Sequence, residues 1–302
     1  GKLGLLQFNH PALHDDESDE YGADDFSSRT EWRNKMDAVS QLIEIANGPA
    51  MTKDTGRKPA EIMEEDFAHY LNLGFHLAPT ADQDNHYFTW GTATNARTGV
   101  IAKELTKSAI IEALRKRHAY ATEDKNLRVI FYVNGHLCGD RVPAPAVDSE
   151  LSIEFTIQDD DEPTADYDIE VYADTIGGEP ASFDSPIEVY TAEGNTEDGF
   201  TMHISDIPYS GGFQYFFFRV TQFDEDGGKE RMWSAPIWFE PAGVELPPVT
   251  QQGADRFVAS KNSGVYHTDP NCRYAKRIAD SNRVTGAAAA VGRRPHRRCP
   301  VR

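Results

Sequence analysis

A change of hydrophobic period near residue 127 constrains this chain more than any other feature. From Leu127 onward apolar and polar residues alternate: Leu151, Ile153, Phe155 and Ile157 fall on one side of an extended segment, and Phe216, Phe218 and Val220 repeat the pattern. Period two puts successive side chains on opposite faces, so each run reads as a half-buried strand. Pro, Gly and Asp clusters at 143–148, 159–166, 177–186 and 224–228 punctuate the runs with turn chemistry. The expected architecture over residues 126–240 is an antiparallel β-sandwich.

Upstream the pattern differs. Short apolar runs, Leu3 to Phe8, Leu42 to Ala46 and Phe75 to Pro79, alternate with helical stretches, one around 59–73 and one capped by Thr106. In the latter, Ile110, Ile111, Leu114 and His118 share a face at helical spacing. Residues 1–125 therefore read as β/α units. Residues 241–254, PAGVELPPVTQQGA, lack periodicity and read as a linker, leaving 255–302 as a separate module.

Charge supports that division. Residues 255–302 hold eleven Lys and Arg against three Asp, a net of +8, whereas the other 254 residues hold 19 basic and 46 acidic side chains, a net of −27. A polyanionic partner could meet only the tail. No apolar run approaches the length of a membrane span, so a soluble, folded chain without a membrane partner is expected, in a compartment the composition does not name. Three cysteines cannot build a disulfide framework.

Possible metal ligands stand where β/α enzymes put their chemistry, at or just beyond strand ends. His10 ends LLQFNHP, Glu44 lies in QLIEIANG, and Asp82, Asp84 and His86 follow FHLAPT in ADQDNH. Carboxylate with imidazole suits Zn, Mn or Fe and leaves a position open for a water whose proton the ion makes acidic. Each of these residues could equally cap a turn or lie solvated at an edge; three strand ends coinciding is what favours a site.

The order NHP, IEIANG, LNLGF with DQDNH, ARTGV and EALRKRHAYATEDKN resembles the C-terminal part of the PHP (polymerase and histidinol phosphatase) superfamily, and within it the CehA/McbA-like metallohydrolases. The resemblance spans roughly residues 1–140. It implies the C-terminal portion of a distorted β/α barrel holding two or three divalent ions, Mn, Zn or Fe. It also implies that His10, Asp84 and His86 are ligands, with Glu44 near the site and Asp82 an alternative carboxylate. The family opens its barrel with a His-x-His pair that has no counterpart before His10, so the expectation is an N-terminally incomplete enzyme with little activity by itself. The resemblance adds that enzymes of this branch often carry a sandwich after the barrel.

Within the sandwich, Trp233 and Trp238 are expected in the core or at the seam with the first domain rather than as a carbohydrate platform. Cys138 is expected to be a buried small hydrophobe.

The tail carries His267-x4-Cys272, a spacer of 23 residues, then His296-x2-Cys299. Two short-range ligand pairs can close a tetrahedron around a structural zinc, which a module with so few large apolar residues needs in order to fold. The run VYHTDPNCRYAKRI with GRRPHRRC resembles the Ada-like zinc-binding domain, with His267 and His296 where cysteines are common. Arg293, Arg294, Arg297 and Arg298 surround the second pair. Guanidinium groups fit phosphates bidentately, so these arginines either meet nucleic acid or another polyanion, or dock on the acidic remainder of the chain.

The sequence as a whole thus leads to a metal-dependent hydrolase acting through metal-activated hydroxide on a small-molecule or polymer phosphoester, with Asp84 and His86 as its catalytic residues. Attack on a carbamate, amide or ester carbonyl is the same chemistry. The alternative is a non-catalytic protein whose zinc module and sandwich hold nucleic acid or another polymer.

Overall fold

The computed structural model describes residues 4–11, 26–178, 181–193, 199–223, 228–247, 258–261, 265–267, 278–285 and 294–295. A small sheet forms around β2 (Leu42–Asn47), every residue of which is buried, as its near-continuous apolar run LIEIAN requires of a central strand. β1 (Gln7–Phe8) pairs with it in parallel, Gln7 opposite Leu42, and further along the same edge β3 (Glu61–Ile62) pairs antiparallel. β4 (Ala78–Ala81) lies parallel on the other edge. Two helices, α1 (Phe26–Asp37) and α2 (Glu64–Asn72), connect these strands. Three acidic residues in the first turn of α2 complement its dipole, and it buries Phe67, Ala68 and Leu71.

The strands that follow, up to residue 240, build a second four-stranded sheet and one of eight strands. β5 (Arg97–Val100) and β6 (Ala119–Thr122) flank α3 (Lys107–Arg115), whose N-terminus is capped by Thr106 Oγ1 accepting from the Ala109 N–H at 3.3 Å. After them come β7 (Arg128–Val133), β8 (His136–Leu137), β9 (Arg141–Pro143), β10 (Ile153–Gln158), β11 (Asp166–Thr175) and β12 (Glu188–Glu193). β13 (Phe200–Ile204), β14 (Gln214–Phe223), β15 (Lys229–Ser234) and β16 (Ile237–Glu240) complete the set. One sheet runs β13-β10-β7-β8; the other runs β12-β11-β14-β15-β6-β5, with β16 and β9 joined along β14. In β10 the alternating residues Ile153, Phe155 and Ile157 are all buried.

The large sheet is covered on both faces. On one, Phe218 meets Phe131 and Phe155 of the opposing sheet at ring centroid separations of 4.7 and 4.9 Å. On the other, Phe217 packs on Phe67 of α2 at 5.5 Å, beside Trp233 and Trp238. Double coverage is why β14 reads YFFF without alternation. Both tryptophans are at most 1% exposed and belong to this seam. Cys138 is buried too, and burial pushes its thiol up to about 12, which makes it inert.

The expected portion of a β/α barrel does not form. Strand makes up 38% and helix 13%, there are three α-helices among the described residues, and no sheet closes. Two physical reasons are visible. Among the described residues up to 125, parallel strand pairing is confined to β1, β2 and β4, apart from one isolated bridge between Arg57 and Thr94, and antiparallel β3 takes the end of the β2 edge that β1 leaves. Next, α3 connects β5 to an antiparallel neighbour, and β6 then pairs with β15 of the sandwich.

In the tail, β17 (Val258–Ser260) lies between β18 (Val265–His267) and β19 (Arg283–Thr285), and β20 (Arg294–Pro295) pairs in parallel with β18. No helix among the described residues is long and apolar enough to cross a membrane.

Candidate metal centre at the ends of the small sheet

The three parallel strands β1, β2 and β4 end on the same side, and the residues that follow them come together. β1 pairs with only the first two residues of β2, so the chain peels off and crosses above Glu44. There the His10 N–H donates to Glu44 Oε2 at 2.7 Å. Next along β2, the register with β4 shifts between Glu44 and Ala46, a bulge of the kind that re-aims side chains beside functional sites. Gly48 turns the chain at φ 92, where an added Cβ would lie 2.8 Å from Ala60 Cβ, so only glycine fits. The loops after β2 and β4 then zip together, Ala50 N–H to Gln83 O and His86 N–H to Ala50 O, each at 3.0 Å.

His10 Nδ1 lies 3.2 Å from Glu44 Oε2, and His10 Nε2 lies 3.6 Å from Asp84 Oδ2. The other oxygen of Asp84 lies 3.5 Å from His86 Nε2. Glu44 is buried, whereas the side chains of His10, Asp84 and His86 are 51, 37 and 62% exposed, so the arrangement opens to solvent on the histidine side. Burial pushes the Glu44 carboxyl up from its ordinary range, and the negative charge of Asp82 adds to this; the His10 N–H and Asn47 Nδ2, at 2.6 Å from Oε1, pull it down. Both His10 (φ 48) and Asp84 (φ 45) occupy the left-handed backbone region, which costs a non-glycine residue about 1–2 kcal/mol. Such strain concentrates at functional sites.

Four of the five expected residues, His10, Glu44, Asp84 and His86, are thus brought into one constellation. Asp82 is adjacent but occupied: its Oδ2 accepts from Gln7 Nε2 at 2.6 Å and Thr80 Oγ1 at 2.9 Å. Asp84 stands in the middle of a chain of contacts, one oxygen toward each imidazole, rather than at one point of convergence. Asn47, Gln7 and Thr80 are the supporting residues that sequence reasoning missed; short polar residues at strand ends carry no distinctive pattern. Of the remaining histidines, His76 is buried against Asp37 and His118 pairs with Asp140 at 2.9 Å, so neither reaches the site.

No family model matches this chain, and no curated protein matches it. A solved structure similar to part of it is the PmoD soluble domain from Methylocystis sp. ATCC 49242 (Rockwell), at 12% identity and a TM-score of 0.27, covering 37% of this chain and 90% of that one. A likeness that distant carries no argument about this chain.

For the tail, Cys272, His296, Cys299, Arg293, Arg297 and Arg298 lie outside the described residues. His267 ends β18 and Arg294 opens β20, and pairing of Tyr266 with Pro295 runs those two strands side by side. Among the described residues, the group whose ligand atoms all lie within 4.8 Å of one another is Asp124, Asp159 and Glu162, at one end of the sandwich.

Proposed function

We propose that this chain serves metal-dependent hydrolysis, with His10, Asp84 and His86 holding divalent ions at the ends of the small parallel sheet and Glu44, both of whose oxygens are hydrogen-bonded, positioning His10. One observation carries the reading: the contacts of Asp84 with the two imidazoles, 3.6 and 3.5 Å, are too long for hydrogen bonds. Each has the length of one edge of a tetrahedral shell, about 3.3–3.6 Å for ligands roughly 2.0–2.2 Å from an ion, with Asp84 placed to bridge two ions because each of its oxygens faces a different imidazole. Mixed nitrogen and carboxylate donors select Zn, Mn or Fe. A bound ion of this class makes water acidic near neutral pH and offsets charge developing on phosphorus-bound oxygen.

The chain's own residues do the rest. Glu44 and Asn47 hold the His10 turn, Thr80 and Gln7 keep Asp82 aside, and the open histidine side admits substrate. Met51, Phe88 and Trp90, 65, 78 and 69% exposed, lie on the loops that follow β2 and β4 and offer apolar surface to an aryl or alkyl group on a phosphoester. For the tail, the spacing of His267, Cys272, His296 and Cys299 supports one structural zinc, and the flanking arginines support a polyanion partner.

The test is hydrolysis of bis(p-nitrophenyl) phosphate by the chain with added Mn2+ or Zn2+. The rate should depend on metal and largely disappear in Asp84→Asn and His86→Ala. Full rate in either variant would overturn the reading.

A further inference from the structure

The sandwich carries a second constellation with different chemistry. Asp124 follows β6, Asp159 and Glu162 follow β10, and their carboxylate oxygens lie within 4.8 Å of one another, with Asp124 4% and Asp159 0% exposed. Carboxylates this close and this buried repel. Main-chain N–H groups of Asn126 and Leu127 donate to Asp124 Oδ1 and those of Asp161 and Glu162 to Asp159 Oδ1. The nearby cations form their ion pairs with other carboxylates, Lys125 with Asp161, Arg128 with Asp160, Lys58 with Glu230 and Arg231 with Glu123, the charge of Lys125 also reaching Asp124 and Glu162. Among the described residues no cation forms an ion pair with Asp124 or Glu162.

An independent observation points to a ligand. Gln222 on β14, 2% exposed, directs its amide into the cluster, Nε2 donating to Asp159 Oδ2 at 2.8 Å and Glu162 Oε2 at 2.9 Å, while its Oε1 is buried without any hydrogen-bond partner. Asn126 repeats the arrangement: Nδ2 donates to Asp159 Oδ1 at 2.7 Å and its buried Oδ1 has no partner. A buried oxygen without a donor costs about 1–3 kcal/mol. Two of them on amides that grip one carboxylate cluster call for an ion or water to account for them. A half-turn of either amide exchanges its nitrogen for its oxygen, which adds a neutral oxygen donor to the three carboxylates.

We propose that Asp124, Asp159 and Glu162, with the amide oxygens of Gln222 and Asn126, form a binding site for a hard divalent cation of the calcium class that ties the two sheets of the sandwich together. An all-oxygen set with no imidazole or thiolate suits calcium, whose flexible shell takes six to eight oxygens. The donors come from both sheets, since β10 belongs to one and β6 and β14 to the other. A cation bound there favours the folded chain by an amount that grows with the logarithm of its concentration above Kd.

The experiment is a calcium titration of the full chain after chelation, followed by calorimetry and thermal unfolding. The expected result is one calcium ion bound with a rise in Tm, unchanged in a His10→Ala, His86→Ala double variant and weakened at least tenfold in Asp124→Asn and in Gln222→Met. Should Asp124→Asn fail to fold, the wild-type titration and Gln222→Met still decide. Absence of calcium binding by the wild-type chain up to millimolar concentration, or binding indifferent to Gln222→Met and Asp124→Asn, would overturn the proposal.

Discussion

The main-chain N–H of His10 donates to the buried carboxylate of Glu44 at 2.7 Å. That bond crosses from one parallel strand end to the next and holds His10 in its left-handed conformation, with Nε2 turned toward Asp84. Asn47 completes the support, its Nδ2 lying 2.6 Å from Glu44 Oε1 and 3.0 Å from His10 Nδ1.

Removing this support should loosen the site without removing a ligand from the exposed side. Asn47→Ala is expected to weaken Mn2+ or Zn2+ binding about 10–100-fold, the usual effect of losing a group that orients a metal ligand. Calorimetric titration checks it, and an unchanged affinity would mean that Asn47 does not position the Glu44–His10 pair.

Acid should destabilise the fold through His76. Its imidazole is 1% exposed, and burial pushes its pKa down, opposed by Asp37 at 2.8 Å and reinforced by the charges of Arg141 and Arg117. A depressed folded value means that the unfolded chain takes up the proton first. Stability is therefore undiminished above the unfolded value of about 6.5 and falls as pH drops from there toward the lowered folded value. Urea midpoints at pH 7.5 and 5.5 should show this loss in the wild type and a smaller one in His76→Gln; equal losses would assign the acid sensitivity to other groups.

The small sheet and the sandwich are joined through a charged seam. Arg219 on β14 donates to both oxygens of Glu170 at 2.6 and 2.7 Å and to Glu64 of α2 at 3.0 Å, and Glu64 also accepts the Trp233 indole N–H at 2.7 Å. The three charged side chains are only 14–16% exposed, so stripping out the cation leaves two carboxylates poorly solvated. Arg219→Ala should cost about 3–5 kcal/mol in denaturant unfolding. A cost below about 1 kcal/mol, the range of exposed pairs, would show that the seam is solvated.

Much of the sandwich was legible because burial on one face writes alternation into the sequence, as in Ile153, Phe155 and Ile157. The clustering of His10, Glu44, Asp84 and His86 was legible for another reason: ligand residues placed directly after apolar runs meet wherever those runs lie parallel. The barrel was misread because three parallel strands with intervening helices look alike whether or not the sheet goes on to close. What stops closure is β3, two residues long and without any pattern of its own, together with the long-range pairing of β6 with β15. The cluster at Asp124, Asp159 and Glu162 was invisible for a related reason. Asp159 and Glu162 sit in a segment that reads as turn punctuation and Asp124 in one legible only as part of a family resemblance, and only the fold brings 124, 159 and 222 together.

Anomalous diffraction at the zinc edge, from crystals of the chain grown with Zn2+, locates any ion held by Asp84 and its two histidines. The account predicts a peak bonded to Asp84 and to His10 or His86, at about 2.0–2.2 Å from each donor, and absent from crystals of Asp84→Asn. Zinc bound elsewhere in the chain with no peak beside Asp84, or a peak there that survives Asp84→Asn, would contradict it.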